Sequence, residues 1–497
     1  MQSPSTARLD WRPPHAHYRL MRSEPQASPY RPDPAILPLA GWLGDPVEAA
    51  RFPDHTLRWR NDRWAAAVGL GDLTDAEWIA HFGEFVPLAD NLPGPLALRY
   101  HGHQFRVYNP DLGDGRGFLF AQMRDAQGRL LDLGTKGSGQ TPWSRAGDGR
   151  LTLKGAVREI MATELLEALG VPTSKTFSVI ETGESLWRGD EPSPTRSAVL
   201  VRLGHGHIRF GSFQRLMVLE EPDHAAQLID YCLAAFPGPP PPTDAPGRDE
   251  PAVRLLHQVV ERMADLAAAW MVAGFVHGVL NTDNMAISGE SFDYGPWRWL
   301  PKWDPGFTAA YFDHSGLYAF GRQPDAVRWN CVQLAIALRA HAETEALVFA
   351  IDRFGPLYEA ALRRRFCWRL GVAPKGPGPD AALIQAAEQA MTASGEAPDI
   401  FFLRHRGGRT TGTDDFDTLL RGYAPTCAAD DRYAAAAPGL LIEEVERIWS
   451  AIAERDDWDE LHRRIEEIRE LGRYLGTPPE PVHWSFERGA SAADTGK

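Results

Sequence analysis

The chain has 497 residues, 43% of them hydrophobic and 24% charged with both signs interspersed, and a formal net charge of −14. That length suffices for two to four domain-sized units with an ordinary buried core. The acidity argues against a nucleic-acid partner, because an unpatterned anionic surface repels a duplex; any anionic ligand must be held by a local cluster of Lys, Arg and backbone N–H groups. Four cysteines, Cys232, Cys331, Cys367 and Cys427, lie far apart with no C-x-x-C pair. Their spacing argues against a zinc framework or a disulfide scaffold and favours a reducing compartment. The N-terminus carries Arg but no apolar signal region, and no run approaches 18 consecutive apolar residues. The expectation is a soluble, cytoplasmic protein with no membrane partner, a mitochondrial location being left open.

In chain order, the first ~35 residues are rich in Pro and Arg and are expected to be extended or wrapped over a neighbouring surface. Phe118–Met123 and Leu130–Lys136 alternate as two strands around an Asp-Ala-Gln-Gly turn. A helix is predicted over Leu151–Gly170, where Leu153, Val157, Ile160, Met161, Leu165 and Leu169 recur at three- and four-residue spacing. Gly170 and Pro172 close it. Thr173–Ile180 and Ala198–Leu203 read as further strands. Pro237–Pro251 reads as a surface insertion, since its prolines lack N–H groups and fix φ.

Val253–Ala273 is a long apolar-striped helix ended by Gly274. A polar loop, His277–Asn284, follows, then two strand-like runs, Met285–Ser288 and Ser291–Tyr294, expected to form a small hairpin. From Trp329 onwards helices are expected, ending in the charged Leu440–Leu475 stretch, an amphipathic helix or pair. A strand ending on lysine, a helix, more strands, a long helix, a polar loop and an Asp-x-Gly form the order of parts in the two lobes of a protein kinase. The expected class is therefore α+β: a protein-kinase-like two-lobed fold with an extra N-terminal segment and a helical C-terminal extension. The expected divisions are an N-terminal extension at 1–95, an N-lobe at 96–222, a C-lobe core at 223–345 and a helical region at 346–497.

Several residues have the chemistry of a nucleotide site. Mg²⁺ is usually held by one or two side-chain oxygens, with phosphates and water completing its octahedron. Asn284 and Asp293 would supply such oxygens, and Asp283 beside them could accept a hydroxyl proton. Taken singly, Asn281-Thr282-Asp283-Asn284 is a polar turn and Asp293-Tyr294-Gly295 a strand end. Lys136 on a strand and Glu159 on the next helix could clamp phosphates, or be two unrelated charges. The glycine-rich stretches around Gly113, Gly115 and Arg116 and around Asp148 and Gly149 let backbone N–H groups approach phosphate, though neither has Walker A spacing. Arg202 and Arg209, seven apart, could reach one polyphosphate. The pairs His101/His103 and His205/His207 read as structural histidines rather than metal ligands.

Read together, these residues resemble the selenoprotein O family of protein adenylyltransferases, long treated as pseudokinases. The resemblance is carried by Gly102-His103-Gln104-Phe105, Leu112-Gly-Asp-Gly-Arg116, Lys136-Gly-Ser-Gly-Gln-Thr-Pro142 and Ser144-Arg-Ala-Gly-Asp-Gly-Arg150. It continues through Arg158-Glu159, His207-Ile-Arg-Phe-Gly211, His277-Gly-Val-Leu-Asn-Thr-Asp-Asn-Met285, Asp293-Tyr-Gly-Pro296 and Trp329-Asn330, covering roughly residues 95 to 335. It implies ATP bound in an orientation flipped relative to kinases, with AMP passed to Ser, Thr or Tyr hydroxyls of protein substrates, the chain itself among the candidates, and pyrophosphate released.

By the same resemblance Asp283 is the proton acceptor, and Asn284 and Asp293 hold Mg²⁺ or Mn²⁺. Lys136, supported by Glu159, holds the terminal phosphates; Gly113, Gly115, Arg116, Asp148, Gly149, Arg202 and Arg209 line the nucleotide pocket. Trp143 stands where the family usually has Tyr, Arg106 where it usually has Gly, and no Cys follows Cys427, so a C-terminal redox feature does not transfer. An ordinary phosphotransferase, a UTP-using enzyme and a non-catalytic nucleotide-binding scaffold remain open as alternatives.

Overall fold

The computed structural model describes residues 25–479 except 190, 432 and 434–436. Most of the Pro- and Arg-rich N-terminal segment, residues 1–24, lies outside the described residues. The fold is mixed α/β, an antiparallel sheet with helices against it. In chain order the first half contains α1 (Ala40–Leu43), β1 (Gly44–Pro46), β2 (Thr56–Arg60), α2 (Asp62–Ala67), α3 (Asp75–Phe82), β3 (Leu96–Leu98), β4 (Gly102–Gln104), β5 (Val107–Asn109), β6 (Leu119–Arg124), β7 (Leu130–Lys136), β8 (Leu151–Thr152), α4 (Leu153–Ala168), β9 (Lys175–Leu186) and β10 (Thr195–Gly204). The main sheet runs β1-β3-β6-β7-β10-β9-β2, with β8 on β10, and every pair is antiparallel. Thus strands from residues 44–46 and 56–60 occupy its two ends, while β4 and β5 form a separate hairpin.

Strand β7 is central and buried along its whole length. Its alternation sends Leu131 and Leu133 into an apolar cluster with Phe118, Phe120, Phe177, Val199 and Val201, which α3 covers with Trp78 and Phe82. Leu130, Asp132, Gly134 and Lys136 share the opposite face. In β10 Leu200, Arg202 and Gly204 stand opposite Lys136, Gly134 and Asp132. Lys136 and Arg202 therefore project from one face as diagonal neighbours, toward α4.

Helix α4 starts at Thr152, whose hydroxyl accepts from Gly155 N at 3.1 Å, a standard N-cap. It ends before Gly170, which takes φ +80. The predicted stripe is buried, and so are Glu159, which faces Lys136 on the sheet, and Glu164, where helices Ile442–Arg455 and Asp459–Leu475 close over the outer side of α4. Arg469 fixes this dock through two bonds to Glu164, at 2.8 and 2.9 Å, and Lys154 reaches Glu446 at 2.7 Å.

The second half contains α5 (Phe210–Val218), α6 (Pro222–Ala235), α7 (Pro251–Val272), β11 (Phe275–Val276), β12 (Arg298–Trp299), α8 (Gln323–Leu338), α9 (Thr344–Asp352), α10 (Phe354–Leu370), α11 (Pro377–Ser394), α12 (Pro398–His405) and α13 (Asp415–Leu420). Residues 237–250 form neither helix nor strand, as the prolines among them require. Helix α7 is buried nearly all round, and no helix among the described residues is long and apolar enough to cross a membrane.

The hairpin expected from Met285–Ser288 and Ser291–Tyr294 does not form. Ala286 bridges to Arg209, and Ser291 pairs in parallel with Thr173. The backbone groups are satisfied by Ile287 N to Ile208 O at 3.0 Å, Phe210 N to Met285 O at 3.0 Å and Ser291 N to Pro172 O at 2.9 Å. Four-residue runs gain little from pairing with each other and more from edges already ordered by the sheet. The consequence is functional: the chain leading to Asp293 is sewn to the segments flanking β9 and β10.

Arg469→Ala should lower the free energy of unfolding by about 2 kcal/mol, short of the ~3–5 for an orphaned buried charge because Arg63 still lies 3.6 Å from Glu164. Arg463→Ala, on an exposed pair of the same helix, should change it by less than about 0.5 kcal/mol. Urea titrations of the two variants against the parent check the contrast.

Candidate active site

Lys136 ends β7 with its ammonium buried, so it needs a counter-charge, and α4 provides one. Its Nζ lies 2.7 Å from Glu159 Oε2 and 3.2 Å from Asp293 Oδ1. Asp293 occupies a left-handed conformation, φ +62, strained for a residue with a Cβ, two residues after Ser291, whose bridge to Thr173 anchors the segment. Arg202 NH1 and Arg209 NH1 each stand 3.9 Å from this carboxylate, from opposite oxygens. Burial alone would raise the Asp293 carboxyl, but Lys136, then Arg202, Arg209 and Arg116, hold it well below the usual carboxylate range.

The loop carrying Asp283 is fixed by its neighbours on both sides. Asn281 Oδ1 accepts from Phe105 N at 3.0 Å and from the Tyr318 hydroxyl at 2.8 Å. Thr282 Oγ1 accepts from His103 N at 2.7 Å and donates to Gln214 Oε1 at 2.7 Å, while Gln214 Nε2 meets His103 Nδ1 at 2.8 Å. Asn330 Nδ2 donates to Leu280 O at 2.8 Å. Arg209 NH1 donates to Asp283 O at 2.8 Å and so ties this loop to the Asp293 cluster.

Asp283 Oδ1 is buried with no hydrogen-bond partner, against Gly102, where an added Cβ would stand 3.1 Å from it. Burial pushes this carboxyl up to about 6, with Arg209 opposing the shift. An unpartnered buried acceptor costs free energy, which makes this oxygen a candidate for meeting a ligand. Asn284 spends its amide nitrogen on Val279 O at 3.1 Å, which leaves its side-chain oxygen for an outside partner. The donor set of Asp283, Asn284 and Asp293 is all oxygen, the chemistry of a hard divalent cation, and the surrounding Lys and Arg suit phosphate. The residues present fit a metal–nucleotide pair.

The glycine-rich segments sit differently from one another. Gly113 bridges to Arg99, and an added Cβ would fall 2.3 Å from the Trp143 ring, so its lack of a side chain serves this ring. Trp143 Nε1 in turn donates to Asp45 Oδ2 at 2.9 Å. Gly115 lies under Trp143 O, and Arg116 O accepts from Gly137 N at 2.7 Å, placing Arg116 beside Lys136. Asp148 is not drawn into the cluster. It pairs with Arg188 at 2.8 Å and lines, with Arg51, Gln140, Arg150 and Glu184, an open cavity of about 510 Å³. Gly149, φ +69, joins that loop to the one after Lys136 through Gly139 N to Gly149 O at 3.1 Å.

Each of the four histidines has a protein partner: His101 Tyr108, His103 Gln214, His205 Leu130 O and His207 Asp132. Sequence reasoning missed Asp114, which pairs with Arg209 at 3.3 Å, although it sits inside the Leu-Gly-Asp-Gly-Arg motif. It also missed Arg145, a further cation acting on Asp283. Gln214 carries no sequence signal, being one polar residue on an amphipathic helix.

The chain matches the family model described as protein adenylyltransferase SelO over residues 32–420. It is 40% identical over 470 residues to the protein nucleotidyltransferase YdiU of Synechocystis sp., covering 88% of this chain and 97% of that one. The YdiU protein of Gloeobacter violaceus is 42% identical over 474 residues, 88% of this chain and 94% of the relative. That of Synechococcus elongatus is 51% identical over 344 residues, 68% of each. The chain belongs to the SelO/YdiU family of protein nucleotidyltransferases.

Gly113→Ala should cost about 1–3 kcal/mol of stability by overpacking against Trp143, with a change in tryptophan fluorescence. Gly94→Ala, where nothing lies within 4 Å of the added Cβ, should stay within about 0.5 kcal/mol. Equal losses in the two variants would remove the packing account of Gly113.

Proposed function

We propose that this enzyme transfers AMP from ATP to Ser, Thr or Tyr hydroxyls of protein substrates, itself among them, on a two-lobed, kinase-like arrangement. The observation that carries the reading is the convergence of the buried Lys136, Glu159, Arg202 and Arg209 on a partly exposed Asp293, next to an unpartnered Asp283 oxygen. The working divisions are 1–95, 96–222, 223–345 and 346–497, the first contributing end strands to the sheet of the second. A lysine strand paired to a helix glutamate across from two aspartates of a following helical unit supports that arrangement. Membership of a family described as protein adenylyltransferases supports adenylyl over phosphoryl transfer.

On this reading ATP lies with its α-phosphate toward Asp283. The acceptor hydroxyl oxygen forms a bond to the α-phosphorus, the bond from that phosphorus to the bridging oxygen breaks, and pyrophosphate departs with the electron pair. Asp283 takes the hydroxyl proton. Lys136, held by Glu159, together with Arg116, Arg202 and Arg209, stabilises charge that grows on the phosphate oxygens in a partly dry cleft. Asp293 and Asn284 would hold Mg²⁺ or Mn²⁺, which supplies neutralisation of the polyphosphate charge. Gly113, Gly115, Asp148 and Gly149 are assigned to the nucleotide rim.

ATP labelled at the α position should leave its label on acceptor protein, and ATP labelled at the γ position should not. Label transferred only from the γ position would replace this reading with a kinase. Asp283→Asn should lower kcat by ~10²–10⁴-fold with ATP binding retained, the usual loss of a general base. Asp293→Ala and Lys136→Ala should abolish transfer, and a chelator should do the same until Mg²⁺ or Mn²⁺ is restored. Near-parental turnover in either variant removes the site assignment.

A further inference from the structure

We propose that the rim beside Asp283 is a docking ledge for the acceptor protein, and that it selects a hydroxyl flanked by an apolar side chain and a carboxylate. The inference rests on the reading of Asp283 as the group that meets the acceptor. The ledge is built on the β4–β5 hairpin, whose turn is Phe105-Arg106. Both turn residues lie in the left-handed region, φ +49 and +64, and Arg106 stands where the resemblance expects glycine. Positive φ at both central residues is the favoured geometry of a two-residue hairpin loop, and contacts around it hold the loop in place. Phe105 N donates to Asn281 Oδ1, two residues before Asp283, and the Phe105 ring packs on Tyr318 and Phe312 at centroid distances of 5.0 and 5.8 Å. At its base the same hairpin sets Gly102 against Asp283 Oδ1. One element therefore touches the reacting carboxylate and presents the ledge.

What the ledge presents is apolar and basic. Tyr311 is 80% exposed, Val107 70% and Phe312 42%, and the Tyr311 ring stands edge-on to Phe312 at 5.1 Å. Contiguous exposed aromatics of this kind mark interaction surfaces rather than ordinary solvent-facing residues. Arg106 is exposed, lies over the Trp329 ring at 5.4 Å, and has no carboxylate within salt-bridge distance among the described residues. In a chain of net charge −14 an unpaired guanidinium, oriented by an aromatic face, is complementary to an acidic segment. Aromatic and Arg side chains together are the composition of binding hot spots. The occupant is an extended segment of the acceptor protein, because the ledge is continuous with the loop that must receive its hydroxyl.

The test uses the full chain with ATP and Mg²⁺ and three fluorescent serine peptides: one flanked by Leu and Asp, one by Leu and Lys, one by Gly alone. Anisotropy reads docking, and α-labelled ATP reads transfer. The Leu/Asp peptide should bind tightest. Arg106→Glu should reverse the preference for Asp over Lys, about fivefold each way, as a rim charge allows. Arg106→Gly suits the left-handed turn, so it should erase that preference without lowering the melting temperature. Tyr311→Ala should weaken both Leu peptides about tenfold, in KM rather than kcat.

Equal binding of the three peptides, or a preference unchanged in Arg106→Glu, overturns the ledge. So does a Tyr311→Ala variant that turns an oligomer into a monomer while peptide binding stays as it was, since the ledge would then be a contact between copies. Docking in the expected order with no α label on any peptide keeps the ledge and sinks the transfer reading; transfer without the preference does the reverse.

Discussion

The structure hangs on a lysine ammonium taken out of water. Lys136 is enclosed by a strand buried on both faces and by α4, and a charge there is tolerable only with a counter-charge in contact. Glu159 meets that need on one side and Asp293 on the other. Asp293 then collects Arg202 and Arg209, so three segments distant in the chain are drawn to one point. Buried ion pairs of this kind add little net stability, because desolvation offsets attraction. What they add is position: Lys136, Arg202 and Arg209 are set around the Asp293 carboxylate in fixed directions.

Keeping that arrangement requires a rigid frame around it. Helix α4 is rigid because it is covered twice, by the sheet on one side and by the C-terminal helices on the other, with Arg469 and Glu164 locking the second contact. The Asp283 loop is rigid because Asn281, Thr282 and Asn330 bond it to the β4–β5 hairpin, to α5 and to α8. The frame leaves an Asp283 oxygen without a hydrogen bond and holds Asp293 in a strained backbone conformation. On the proposed reading both lie where a polyphosphate, a cation and a hydroxyl would meet.

The acidic surface and the basic cleft follow from the same logic. A net charge of −14 keeps polyanions off the exterior, while Lys136, Arg202 and Arg209 concentrate positive charge where water is scarce and each charge counts most. Arg106, on the turn of the β4–β5 hairpin, carries positive charge out to solvent.

Much of this was legible in the sequence, for local reasons. Periods of two and 3.6 marked β7, α4, α7 and the two last helices. Lys136 and Glu159 stood out because a buried ammonium needs a partner, and Asp283 and Asp293 because a polar loop and an Asp-x-Gly follow a long helix. Long-range geometry was not legible. The runs around Ala286 and Ser291 pair with Arg209 and Thr173 because those edges are already ordered, which no four-residue pattern reveals. Gly113 and Asp148 read as the lining of a nucleotide pocket; that the first also makes room for the Trp143 ring and the second pairs with Arg188 shows only in the tertiary structure. Gln214 closes the hydrogen-bond ring around Thr282 without any sequence mark. Spacing along the chain thus determined which residues carry charge into the interior and in what order. Packing of elements far apart in that chain decided which charges touch, because contact in a folded protein depends on which faces are buried together.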